Sequence, residues 1–94
     1  MAEGSRLSTL RQETVAASGS FTTAQDVDGL VSKLDNAASK LSEGKNTDAI
    51  VKLKAFQNTL TTLELASKPK VDPIAAGMLR AGAQGVIDCI SSLG

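Results

Sequence analysis

Along positions 23–43 apolar side chains return at the pitch of an α-helix. At about 100° per residue, Val27, Leu30, Val31, Leu34, Ala37, Ala38 and Leu41 share one arc of roughly 120°. Asp28, Ser32, Lys33, Asp35, Asn36, Ser39, Lys40 and Glu43 occupy the rest. This contrast predicts a helix over 23–43. Thr22 or Thr23 is the expected N-cap, and Thr22 with Gln25 has the spacing of a capping box. Gly44 follows the last periodic residue and suits the left-handed conformation that closes many helices.

A second periodic stretch predicts a helix over 47–66. Asn46 or Thr47 is its expected cap, Asp48 suits its positive end, and Ala49, Leu53, Phe56, Leu60 and Leu63 make a narrow apolar seam. Val51 and Leu65 point to the opposite side, with Ala55 nearby. Two readings of that side are open. Val51, Ala55 and Leu65 form a docking face, or they lie beneath the first helix. The second is preferred, because the first helix needs a surface to sit on.

Lys68, Pro69 and Lys70 read as a linker, after which Asp72-Pro73 offers an acidic cap with proline at the first helical position. The helix predicted over 73–93 carries only two charges, Arg80 and Asp88. Leu79, Val86, Ile90 and Leu93 form a large apolar stripe beside a small-residue stripe of Ala75, Gly82, Gly85 and Cys89. Gly77, Gly82 and Gly85 each cost about 1 kcal/mol of helix propensity relative to alanine. Glycines retained at that cost imply close packing against a neighbouring backbone. Residues 1–20 are more polar. Leu7, Leu10 and Val15 suggest a short helix over 5–17 stopped near Gly19, or else a linker.

Helices of about 20 residues are ~30 Å long and match one another, and short links make successive helices antiparallel neighbours. The expected fold is all-α, an antiparallel up-down bundle: three long helices plus a shorter N-terminal one, with 21–94 as the bundle core of a single domain. No strand pattern appears. The core should comprise Leu30, Leu34, Leu41, Leu53, Phe56, Leu60, Leu79, Val86 and Ile90.

Composition narrows the functions. Aromatics are 2% of the 94 residues, Phe21 and Phe56, so the core is aliphatic. Ten basic and ten acidic residues cancel. Without a basic stripe or a stacking platform, a nucleic-acid partner is not expected. No apolar run approaches the ~20 residues of a membrane span. The N-terminus lacks the apolar stretch of a signal peptide, so secretion would require the chain to be part of a longer precursor. One cysteine and no histidine exclude an internal disulfide, histidine-based triads and histidine zinc sites.

One segment invites an ion-binding reading. With Gly29 as the sixth residue of a calcium loop, Asp26, Asp28 and Asp35 fall at positions three, five and twelve. Position one would then be Ala24, which has no side-chain oxygen, and the face of Val27, Leu30, Val31 and Leu34 would be lost. Acids in the first turn of a helix are the simpler account. Cys89, lacking a histidine partner, reads as a buried, inert small hydrophobe. No acid pair is spaced for general acid–base work, and Gly77, Gly82 and Gly85 follow no strand, so they make no phosphate loop. The expectation is a non-enzyme with no catalytic residues, metal or cofactor.

The order of features resembles the FIMAH-type helical module. The resemblance lies in Ser18-Gly19-Ser20-Phe21-Thr22, then Leu34-Asp35-Asn36-Ala37, Gly44-Lys45-Asn46-Thr47, Ala49, Leu53 and Phe56. It continues in a lysine-containing linker and the ending Ile87-Asp88-Cys89-Ile90-Ser91-Ser92-Leu93. The first helix is less apolar, and the last richer in glycine, than that family's pattern; Pro69 stands where Gly-Lys is more usual. The resemblance implies a non-catalytic accessory or spacer module at the C-terminal end of a secreted or cell-surface multi-domain protein, with its attached domains or another protein as partners. The alternative is a free-standing cytoplasmic helical protein that homo-dimerises, or binds a partner, through its glycine-rich last helix.

Overall fold

The computed structural model describes residues 2–22, 24–66 and 70–92, and side chains from Arg6 onward. Among the described residues four α-helices make up the fold: α1 (Ala2–Ala16), α2 (Ala24–Ser42), α3 (Asn46–Leu65) and α4 (Pro73–Ser91). A 3-10 turn, Ala17–Ser20, follows α1. The expected all-α bundle is the fold observed. Thr23, Lys68, Pro69 and Leu93, named above as cap, linker and stripe residues, lie outside the described residues.

Each helix packs on two others: α2 on α3, α3 on α4, and α1 on both α2 and α4. The inward faces follow the sequence periods closely. Val27, Leu30, Leu34 and Ala37 of α2 are buried, as are Ala49, Leu53, Phe56, Leu60 and Leu63 of α3. From α4 come Ala76, Leu79, Ala83, Val86, Ile87 and Ile90. Of the nine expected core residues only Leu41 is merely half-buried, because it sits in the last turn of α2, where the helix leaves the core. Ala38 is exposed.

The turns show why the chain reverses where it does. Gly44 has φ +78°. Its N–H donates to Leu41 O at 3.0 Å, and the Lys45 N–H donates to Lys40 O at 2.9 Å. These paired bonds are a Schellman closure, which satisfies carbonyls that the helix end would leave bare. At α4, Asp72 accepts from the Ala75 N–H at 3.2 Å with Pro73 in the first turn, as the sequence indicates. The start of α3 differs from expectation. Asn46 is already helical, and the cap position falls to Lys45, which makes no side-chain cap bond. The Schellman turn delivers the chain into α3 one residue early, leaving neither Asn46 nor Thr47 at the cap.

One element had no sequence signal. Phe21 and Val71 form an isolated antiparallel bridge. The Thr22 N–H donates to Lys70 O, and the Asp72 N–H to Ser20 O, both at 2.9 Å. The bridge ties the α1–α2 connection to the α3–α4 connection and buries both Phe21 and Val71. The Thr22 backbone N–H, which a capping box would engage, is thus taken by the bridge.

Candidate functional site

The expected docking residues all lie on α3. Val51 is 55% exposed and Leu65 is 75% exposed, while Ala55 is half-buried. The preferred expectation, that the first helix covers them, fails: α1 lies in the groove between α2 and α4. The reason is steric. The small-residue stripe of α4 lets α1 approach closely, with Leu10 against Gly82 and the Arg6 guanidinium near Gly85. Gly77 has open space around it and faces no neighbour.

Val51, Ala55, Asn58, Thr62 and Leu65 follow one another at helical spacing, so they form a single ridge on the outer side of α3. Its two large apolar side chains are fourteen residues apart, about 21 Å along the axis. Asn58 and Thr62 between them are exposed and polar. The ridge is thus two apolar contact points with a polar middle, not a continuous greasy strip.

A second exposed apolar region was not anticipated. Ile74 is 74% and Met78 67% exposed. Four residues apart on α4, they share a face. Beside them, Ala16, Ala17, Ala75, Met78 and Leu79, together with Glu13, line an open cleft of about 360 Å³ where α1 meets α4. The sparse charge of α4 was the available signal, and the structure shows where its two charges go. Arg80 pairs with Glu64 of α3, and Asp88 accepts from the Gln84 amide at 2.9 Å. Gln57 of α3 donates to Arg80 O at 3.1 Å and to the Gln84 side chain at 3.2 Å. Arg80 and Gln84 of α4 thus turn toward α3, while Ile74 and Met78 in its first turns stay exposed.

Residues 24–42 are continuous helix, with Asp26 in the first turn and Gly29 inside it, so the calcium loop does not form. Among the described residues no group of three or more Cys, Asp or Glu is placed to hold a metal ion. Cys89 is half-buried, not sealed as expected. No helix among the described residues is long and apolar enough to cross a membrane. What these surfaces offer is contact. Fully burying a leucine, isoleucine or methionine side chain contributes about 1.5–3 kcal/mol.

Comparison of the chain with protein-family models, curated proteins and solved structures returns no match.

Proposed function

We propose that this chain is a non-catalytic interaction or spacer module, working as an accessory unit of a larger secreted or cell-surface protein. The observation that carries this reading is the α3 ridge. The core is complete without Val51 and Leu65, yet both large apolar side chains stand outside it. Two apolar points about 21 Å apart on a straight helix suit a neighbour that lies along the helix. The resemblance to FIMAH-type modules supports an attached domain as that neighbour. The test compares the isolated domain with the same domain joined to its native flanking segments, by amide and methyl NMR. Shifts at Val51, Ala55 and Leu65 are expected on joining. Unchanged signals there would remove the α3 docking face.

Self-association through α4 is the second reading, favoured by exposed Ile74 and Met78. Gly82 is already occupied by α1, so a dimer would use the outward side of the helix instead of the small-residue stripe. Sedimentation at low and high concentration separates the two: a tight dimer favours the second.

A further inference from the structure

The first helix is held unlike the other three. Among its described side chains, those from Arg6 onward, Leu7, Leu10 and Thr14 are buried. Thr14 spends its hydroxyl on Leu10 O of its own helix, so it gives no bond to the bundle. Among the described residues, the side-chain bridge from α1 to another helix, Arg11 Nε to Asp35 Oδ1 at 2.9 Å, is half exposed at both ends and therefore weak. Clefts flank the helix on both sides. Arg6, Leu10, Glu13 and Val86 border one of about 260 Å³ against α4, and Leu7, Arg11, Leu34 and Ala38 border one of about 190 Å³ against α2.

The bridge places the hinge. Phe21–Val71 fastens the start of the α2 segment to the α3–α4 connection by two backbone bonds and two buried side chains. Between it and α1 lies only the 3-10 turn Ala17–Ser20, which buries no residue. After the turn the bridge fastens the chain to the core, whereas among its described side chains α1 is held by Leu7, Leu10 and Thr14.

We propose that α1 is a releasable strap, and that the groove it vacates between α2 and α4 receives a partner helix of the same pattern. Opening occurs at Ala17–Ser20 while α2, α3, α4 and the bridge stay folded. The cis occupant defines the partner: an amphipathic helix with two leucines three apart and a small residue four further on, held close over Gly82. A basic side chain one position past the second leucine meets Asp35, as Arg11 does. Release stands by itself; only the partner half rests on the reading of this chain as an interaction module.

Native-state hydrogen exchange on the full chain tests the release. Amides of Leu10–Ala16 are expected to exchange on the order of tenfold or more faster than those of Leu53–Leu60, through an opening that does not involve α3. In Leu10→Ala the α1 amides should speed up further while α3 is unchanged. Exchange of α1 in step with α3 in the unsubstituted chain would overturn the strap, and this measurement does not depend on the variant folding. For the partner half, the probe is a fluorescent peptide of residues 2–17 added to the unsubstituted full chain and to Leu10→Ala. Tighter binding to Leu10→Ala is expected, with none by a peptide carrying Leu7→Asp and Leu10→Asp. No difference between the peptides would overturn the groove as a helix receptor. Either failure leaves the α3 ridge, and the NMR test of it, standing.

Discussion

The δ1 methyl of Leu10 on α1 lies 3.0 Å from where a β-carbon on Gly82 of α4 would stand. The two helices therefore meet where a hydrogen fits easily and a methyl does not. Gly77, on the same helix, meets nothing within 4 Å. Both glycines forgo about 1 kcal/mol of helix propensity, so their alanine variants separate propensity from packing. Gly77→Ala is expected to stabilise by about 0.5–1 kcal/mol. Gly82→Ala should gain less, because Leu10 must give way, and Gly82→Leu should lose about 1–3 kcal/mol by overpacking. Urea midpoints decide it; equal gains from the two alanines would mean that the contact constrains nothing.

Phe56 is fully buried at the centre of the α3 seam and is one of two aromatics in the chain. Phe56→Ala is expected to cost about 3–5 kcal/mol, a large part of the stability of a domain this small. An unchanged melting temperature would show that the seam is wrongly placed.

The two turn closures make a separable pair. Gly44 needs a positive φ, and an alanine there should cost about 1–2 kcal/mol. Asp72 holds one N–H at the start of α4, and Asp72→Ala should cost about 1 kcal/mol while Asp72→Asn keeps most of the bond. On a domain of this length each kcal/mol moves the midpoint by about 4–8 °C. Thermal melts of the three variants should therefore rank Gly44→Ala and Asp72→Ala well below Asp72→Asn.

The helices of the core were legible because apolar and polar residues alternate at one period, with Gly44 and Asp72-Pro73 marking ends by local geometry. The position of α1 was harder. Its polar sequence shows a weak face, and Val15 looks like the third inward residue when Thr14 is. A threonine whose hydroxyl bonds its own helix behaves as an apolar side chain, which residue type alone does not reveal. Val51 and Leu65 stand out on α3, but the seat of α1 is set by Gly82 on α4. The Phe21–Val71 bridge had no signal at all, since one residue on each side makes no alternation. Ile74 and Met78 were hidden by a helix apolar on several sides, where periodicity cannot say which side is covered.

Leu63 and Leu65 test the α3 ridge without a partner. They are two residues apart, yet Leu63 is 8% and Leu65 75% exposed. Leu63→Ala is expected to cost about 2–5 kcal/mol, whereas Leu65→Lys should stay within about 0.5 kcal/mol of the parent. A large loss from Leu65→Lys would place that side chain in the core and remove it from the docking face.

Thr14 isolates the hydroxyl from the shape of its side chain. It is fully buried, and its hydroxyl donates to Leu10 O at 2.8 Å. That carbonyl also accepts the backbone N–H of residue 14 in a regular α-helix, so removing the hydroxyl leaves no orphan acceptor. Thr14→Val keeps the branched shape and should be neutral to within about 0.5 kcal/mol, or mildly stabilising, since back-bonding to the preceding turn slightly strains a helix. Thr14→Ala removes the buried methyl as well and should lose about 1 kcal/mol. Denaturant unfolding should order the three chains valine, threonine, alanine. A valine variant much weaker than the parent would mean that the hydroxyl has a second partner across the α1 seam, and α1 would then be fastened by more than its two leucines.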